Sequence, residues 1–292
     1  MKPGLRAMPA TLLARACVMG HPVGHSRSPL IHGYWLRTLG IKGEYVREDV
    51  PPGAFTAFVT SLRQRGYVGG NCTVPHKEAA FRLVDVATDR ARAVGAVNTL
   101  WFEDDRLCGD NTDGIGFVSH LSATQPGWAA STEVALILGA GGAARGIVAA
   151  LLSAGVDRIV IANRTLARAE ELARLFGDQV AAREWNMLPE ALVASDLLIN
   201  TTSLGMQGQP ALEVDIAPLK PSAIVADIVY VPLETRLLAD ARRRGHRTTD
   251  GLGMLLHQAV PGFERWFGHR PMVTDELRDI LVRDIERPKT TS

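Results

Sequence analysis

Cysteine is scarce in this chain of 292 residues: Cys17, Cys72 and Cys108 are the full set. Three scattered thiols with no C-x-x-C pair exclude a disulfide framework and a cysteine zinc site, and they suit a reducing, cytoplasmic setting. Long apolar runs are missing too; none approaches the ~20 residues that a membrane helix needs. Neither sign of charge dominates, with 32 Lys+Arg against 31 Asp+Glu and a net charge of +1. That balance argues against nucleic acid or an anionic membrane as partner, so an anionic ligand must be held by a local arrangement. The eight histidines show no ligand spacing, and no metal is expected. Internal repeats and low-complexity stretches are absent as well.

The N-terminus lacks acids. No Asp or Glu precedes Glu44, while Lys2, Arg6 and Arg15 are basic, which mimics a transit peptide. The polar segment His25–Pro29 follows too soon to leave room for one, and no long apolar stretch supports a secretory signal. Residues 1–14 read as a short extension, with Met8 as an alternative start, and Arg287–Ser292 as a frayed tail.

What is present is ordinary globular composition, 46% hydrophobic and 22% charged, enough for a sizeable core. The length suits two domains. Strand-like and helix-like segments alternate, the pattern of an α/β protein with parallel strands. In the first half, strands are expected at Cys17–Met19, Glu44–Asp49, Tyr67–Thr73, Ala96–Phe102 and Arg106–Cys108. Helices are expected from Ser28, as N-cap before Pro29, to about Leu39, then over Pro52–Arg65 and His76–Val84. Gln125-Pro126-Gly127 reads as a linker. Beyond it, strands are expected at Val134–Leu138, Arg158–Ala162, Leu197–Asn200 and Ile224–Val229. The matching helices are Gly142–Ala154, Leu166–Phe176, Glu234–Arg244, Leu252–Phe267 and Thr274–Ile285.

Gly139-Ala140-Gly141-Gly142-Ala143-Ala144 follows an apolar strand and opens a helix, which makes it a G-x-G-x-x-A dinucleotide fingerprint. The glycines permit the tight turn and close approach to a pyrophosphate, and the helix N-terminus offers free N–H groups. Where an NAD site carries an acid, the next strand ends in Asn163-Arg164-Thr165, with Arg168 nearby. No carboxylate repels a 2′-phosphate there, and two guanidiniums suit bidentate phosphate binding, so the cofactor expected is NADP(H).

Three further clusters are polar: His25-Ser26-Arg27-Ser28-Pro29, Asn71-Cys72-Thr73-Val74-Pro75-His76-Lys77, and Asn98-Thr99 followed by Gly109-Asp110-Asn111-Thr112-Asp113-Gly114. Each alone has a bland explanation: a helix cap for Ser28, a strand filler for Asn98, an exposed first-turn lysine for Lys77, a turn for Asn111–Gly114. Jointly these hydroxyls, amides and single charges suit a small polyhydroxylated acid.

Taken in order, from about Val18 to Gln258, these motifs resemble the shikimate dehydrogenases: S-x-S at Ser26 and Ser28, N-x-T-x-P-x-K at Asn71–Lys77, A-V-N-T at Ala96–Thr99, G-D-N-T-D-G at Gly109–Gly114, the glycine loop, N-R-T-x-x-R at Asn163–Arg168, and D-G-L-x-M-L-x-x-Q at Asp250–Gln258. The resemblance implies reversible reduction of 3-dehydroshikimate to shikimate by NADPH, on the route to chorismate and the aromatic amino acids. It implies Lys77 as catalytic lysine with Asp113 as its partner. Ser26, Ser28, Asn71, Thr73, Asn98, Tyr230 and Gln258, with Lys77 and Asp113, would hold the substrate. Asp89, Gly139, Ala140, Gly141, Gly142, Ala143, Asn163, Arg164, Thr165, Arg168, Ile228 and Gly251 would contact the cofactor. The implied fold is α/β with two domains. Residues 1–120 form a substrate domain, 121–250 an inserted Rossmann NADP-binding domain, and 251–292 helices that return to the first. A monomer or homodimer is implied, with a small-molecule substrate and neither nucleic acid nor membrane as partner.

Three positions depart from the family pattern: Cys72 for valine, Arg236 for proline, and His76 where an aromatic is frequent. The competing readings are a quinate/shikimate dehydrogenase using NAD, which Arg164 and Arg168 oppose, and an inactive NADP-binding regulator, which intact Lys77 and Asp113 oppose. A folate-type dehydrogenase of the same plan would want more aromatic surface than 6% provides.

Overall fold

The computed structural model describes residues 13–287. Most of the expected N-terminal extension, with Met8, lies outside the described residues, as does the tail beyond Arg287. The extension expected over residues 1–14 is one residue too long, because Ala14 already opens a strand.

The chain forms two six-stranded sheets. The first is built from β1 (Ala14–Gly20), β2 (Gly43–Asp49), β3 (Tyr67–Cys72), β4 (Val86–Ala87), β5 (Thr99–Glu103) and β6 (Arg106–Asp110), in the order β2-β1-β3-β5-β6-β4. It is mixed rather than parallel. β1 runs parallel to β2 and β3, whereas β5 runs antiparallel to β3 and to β6. The cause is local: Glu103-Asp104-Asp105 makes a tight hairpin, with Asp104 at φ 54° in the left-handed region that aspartate tolerates.

The second sheet holds β7 (Val134–Leu138), β8 (Arg158–Asn163), β9 (Val180–Glu184), β10 (Leu197–Asn200), β11 (Ile224–Asp227) and β12 (Arg247–Thr249). All its pairings are parallel, and the order β12-β11-β10-β7-β8-β9 is the doubly wound dinucleotide-binding order. Ala135 and Ile137 face one core and Leu136 and Leu138 the other, so both faces of β7 are dry. This is why it reads as one unbroken apolar run.

The first sheet is buried on both faces too. In β1, Ala16 and Val18 face one cluster and Cys17 and Met19 the other. The Ala16 face is covered by α1 (Ser28–Thr38) and by the last two helices, α10 (Gly251–Phe267) and α11 (Asp275–Glu286), through Ile31, Trp35, Phe263, Trp266, Leu277 and Leu281. The chain therefore returns to its first sheet after completing the second.

Joining the two halves is α5 (Asp113–Thr124), which the sequence pattern does not reveal. A Cβ on Gly114 would lie 2.3 Å from the Gly146 carbonyl oxygen of α6 (Gly142–Ser153), and one on Gly116 would lie 2.6 Å from Gln258 Cβ of α10. Both sites have neighbours too close for any side chain, so α5 lies wedged between a helix of each half.

Other elements differ from expectation. The helix expected over Pro52–Arg65 is a single 3-10 turn followed by a short helix, Phe55–Thr60. The Thr60 and Ser61 hydroxyls donate back to the carbonyls of Thr56 and Ala57, the competition that ends such helices early. Short elements at Val86–Ala87, Asp89–Val94, Val180–Glu184, Leu188–Ala194 and Arg247–Thr249 are also additions. Arg236 does not spoil its helix start, because Thr235 caps it by accepting from the Leu238 N–H, and Arg236 pairs with Glu213 at 3.6 Å.

His32 lies fully buried in this core, stacked on Tyr45 at 4.0 Å between centroids, and neither ring nitrogen finds a partner. Burial pushes it down to about 3. An unfolded histidine titrates near 6.5, so between these values the unfolded chain binds the extra proton, and this contribution to stability is lost as pH falls below about 6.5. Replacing His32 with phenylalanine removes that loss. Urea denaturation at pH 7 and pH 5 is expected to show a stability drop smaller by about 2 kcal/mol in the variant. An identical drop in both proteins would refute this assignment.

Candidate active site

Two clefts lie at the ends of the sheets. The first is lined by every residue nominated for substrate: Ser26, Ser28, Asn71, Thr73, Lys77, Asn98, Asp113, Tyr230 and Gln258. They come from six separate stretches of chain, which the first sheet, α5, α10 and the loop after β11 bring to one place.

At its centre, Lys77 opens α3 (Lys77–Leu83) and donates from Nζ to Asp113 Oδ2 at 2.5 Å. Asp113 is the first residue of α5, where the helix dipole favours a negative charge. Its other oxygen accepts from Asn98 Nδ2 at 2.8 Å. The orientation of the Asn98 amide is dictated by its surroundings. Its Oδ1 accepts from the Thr112 N–H at 2.9 Å, the Thr112 hydroxyl at 3.1 Å and the Thr99 hydroxyl at 2.9 Å. Nδ2 must therefore face Asp113 and, at 3.5 Å, Gln258 Oε1. The carboxylate is thus fixed from one side by an amide and from the other by the ammonium. Lys77 keeps 32% of its side chain exposed, open to the cleft.

Ser28 does not cap its helix. Arg27 is the cap residue, Ser28 is already helical, and its hydroxyl accepts from Ser26 Oγ at 3.3 Å. Both serines are thereby left for the cleft. Arg27, between them, donates from Nε to Asp284 of α11 at 2.9 Å and sits 6.0 Å from the Tyr230 ring, which comes from the other sheet. Asn71 lines the cleft, but its amide is already engaged. It accepts from the Tyr45 hydroxyl at 2.6 Å and donates to Asn98 O at 3.0 Å and Thr99 Oγ1 at 3.2 Å.

Two of the departures from the family pattern are structural. Cys72 is buried and burial pushes its thiol up to about 12, so no reactive thiolate stands beside the site. His76 belongs to the core, stacked on Phe55 at 4.2 Å with Nε2 donating to Val50 O at 2.6 Å.

The second cleft lies where β7 and β10 diverge, the switch point of the doubly wound sheet. It is lined by Gly139, Ala140, Gly141, Asn163, Arg164 and Arg168, together with Trp185 and Thr201–Leu204. Gly139 has φ +102°, and a Cβ there would lie 2.9 Å from Thr202, so a side chain is barred twice. Added Cβ atoms at Gly141 and Gly142 would meet nothing within 4 Å, which leaves an open cradle over the bare N-terminus of α6. Arg164 and Arg168 are exposed, and neither forms an ion pair among the described residues. An uncapped helix start, an open glycine cradle and two free guanidiniums fit a dinucleotide with an extra phosphate.

The remaining nominees lie elsewhere. Ile228 and Gly251 line the first cleft, not the second. Gly142 and Ala143 begin α6 behind the cradle, and Thr165 precedes α7 (Leu166–Phe176) without a side-chain capping bond, its carbonyl accepting from Asn163 Nδ2 at 2.8 Å. Asp89 faces solvent from the short helix Asp89–Val94, 3.7 Å from Arg92. On either side of it, Thr88 caps that helix by accepting from the Ala91 N–H, and Arg90 reaches Asp110 at 2.5 Å. Sequence reasoning missed Trp185 and Thr201–Leu204. The run Thr201-Thr202-Ser203, directly after the strand Leu197–Asn200, was the available signal.

Behind both clefts, Asp227 ends β11. It accepts from Asn200 Nδ2 at 2.9 Å, from the Val229 N–H at 3.0 Å and from the Thr235 hydroxyl at 2.7 Å. Burial outweighs these bonds and pushes it up to about 6. The bonds fasten the loop that carries Ile228 and Tyr230 to the end of β10.

Comparison with known proteins agrees with this arrangement. Three family models match in chain order: the shikimate dehydrogenase substrate binding domain over residues 18–100, shikimate / quinate 5-dehydrogenase over 122–217, and the shikimate 5'-dehydrogenase C-terminal domain over 251–274. The shikimate dehydrogenase (NADP(+)) of Methylobacterium radiotolerans is 60% identical over 276 residues, covering 93% of this chain and 97% of that one. Among solved structures, shikimate 5-dehydrogenase from Thermus thermophilus in complex with NADP(H) and shikimate has a TM-score of 0.83 at 35% identity, covering 94% of this chain and all of that one. Quinate dehydrogenase from Corynebacterium glutamicum in complex with NAD has a TM-score of 0.85 at 28% identity, covering 92% and 99%. The backbone alone thus serves two substrates and two cofactors, whereas motifs, order and identity all point one way: the chain belongs to the shikimate dehydrogenase family.

Proposed function

We propose that this protein is an NADP-dependent shikimate dehydrogenase, an oxidoreductase that reversibly reduces 3-dehydroshikimate to shikimate on the route to chorismate and the aromatic amino acids. The observation that carries the reading is the Lys77–Asp113 pair at 2.5 Å, set in a cleft of hydroxyls and amides. NADPH, when bound, supplies the hydride. Gly139–Gly141 and the α6 N-terminus would hold its pyrophosphate, and Arg164 and Arg168 its 2′-phosphate.

This chain's own part is proton handling and orientation. The Lys77 ammonium faces the substrate's carbonyl oxygen, stabilises negative charge as it develops there, and delivers the proton. In the reverse direction Lys77 receives the hydroxyl proton. Asp113, anchored by Asn98, keeps the ammonium aimed. Ser26, Ser28, Thr73, Tyr230 and Gln258 orient the acid and its hydroxyls, and Asn71 acts with them through the position of Asn98. Residues 1–120 serve as substrate domain, 121–250 as nucleotide domain, and 251–292 as the returning helices; the two sheets and the α10–α11 cover support that division. No helix among the described residues is long and apolar enough to cross a membrane, and we place the enzyme in the cytoplasm as a monomer or homodimer.

The test offers shikimate or quinate with NADP⁺ or NAD⁺ and follows the absorbance of the reduced nicotinamide. Shikimate with NADP⁺ is expected to be the best pair. Equal turnover of quinate with NAD⁺ would favour the quinate/shikimate alternative. Cofactor binding without turnover of any pair would favour the inactive regulator.

A further inference from the structure

The chain has five tryptophans. Trp35, Trp101, Trp128 and Trp266 are core residues, with exposures of 1%, 6%, 3% and 6%. Trp185 differs. One part of it packs on the cluster of Leu188 and Leu192, while another lines the nucleotide cleft with Arg164 and Arg168. Among the described residues no aromatic ring and no guanidinium stacks on its indole.

Its place in the sheet says which part of a dinucleotide comes near it. The cradle at the α6 N-terminus takes the pyrophosphate, which divides the ligand into two halves. Toward β10 and β11 the cleft leads to Tyr230, Lys77 and the substrate groups. Toward β8 and β9 it leads to the two arginines. Asn163 at the end of β8 pairs in register with Glu184, the last residue of β9, so Trp185, the first residue past that strand, lies at the same end of the sheet as Arg164. An aromatic face open to a cleft and flanked by phosphate-binding guanidiniums is complementary to a flat base attached to a phosphorylated ribose.

We propose that Trp185 forms a wall of the adenine subsite, its indole stacked on the purine while Arg164 and Arg168 hold the ribose phosphate. The assignment rests on the dinucleotide reading of this cleft. Trp185 touches no reacting atom, so its contribution is to binding and cofactor choice.

Direct titration by calorimetry, with no turnover, tests it. Trp185→Ala is expected to weaken NADP⁺ and adenosine 2′,5′-bisphosphate by the same factor, about 5- to 100-fold, and Trp185→Phe to retain most of the affinity. Nicotinamide mononucleotide, which lacks adenine, should bind both variants as it binds the original protein. Tryptophan emission gives a second readout: NADP⁺ should quench it in the original protein, and Trp185→Phe should abolish that quenching. Unchanged affinity for the bisphosphate in Trp185→Ala, with the original protein binding it normally, overturns the stacking alone. Failure of the original protein to bind either adenine ligand overturns the dinucleotide reading and this proposal together.

Discussion

Replacing Lys77 with alanine should lower kcat for shikimate oxidation by about 10²- to 10⁴-fold, the range that positioned proton transfer contributes. The loss should fall mainly on kcat. The cleft keeps its other hydroxyls and amides, and the nucleotide cleft contains no part of Lys77. Binding of NADP⁺, measured by calorimetry, should therefore stay within about twofold, since the groups that would hold its pyrophosphate and 2′-phosphate are untouched. Asp113→Asn should behave differently. It removes the charge that the ammonium faces at 2.5 Å, and it places an amide opposite Asn98 Nδ2, a donor. Its loss should show both in kcat and in the pH at which activity rises. A Lys77→Ala enzyme with normal kcat and a raised KM would show that the lysine only binds substrate, and the proton route would need another donor.

The second large effect concerns cofactor choice. Arg164→Ala and Arg168→Ala should each raise KM for NADPH by about 10- to 100-fold, the worth of a lost charge-assisted bond to phosphate. Neither should change KM for NADH. Thermal stability should not move, because both side chains are exposed and unpaired among the described residues. The double variant should prefer NADH outright. Equal losses with both cofactors would mean that the arginines support the loop instead of reading the 2′-phosphate.

Much of this was legible in the residues. The nucleotide half is the clearest part, since buried parallel strands are continuous apolar runs and the glycine turn has one obvious structural use. The mixed first sheet was less legible. Its antiparallel step depends on where a hairpin docks, and Thr99–Glu103 could pair with either neighbour. The gravest omission is α5. Gly114 and Gly116 lower helix propensity by about 1 kcal/mol each, and only close packing against α6 and α10 repays that, which is a tertiary fact. Asp113 thus looks like part of a turn when it opens the connecting helix. Asp89 is a different case: motif position suggests a cofactor contact, and the side chain lies outside the lining of both clefts, facing water beside Arg90. Asn71 shows a subtler limit. Its place in the motif is informative, yet that its amide is saturated by Tyr45, Asn98 and Thr99 depends on three distant stretches meeting.

The return of α10 and α11 to the first sheet has a consequence for biosynthesis. Ala16, Val18, Ile31 and Trp35 leave the ribosome early, but Phe263, Trp266, Leu277 and Leu281, which cover them, are made last. At about 5–20 residues per second, that apolar face waits roughly ten seconds to a minute for its lid. The second sheet draws its strands from one uninterrupted stretch and can close in the meantime. The nascent chain is therefore a finished nucleotide module trailing an unfinished substrate module, and the period of greatest exposure to chaperones and aggregation belongs to the half that carries Lys77.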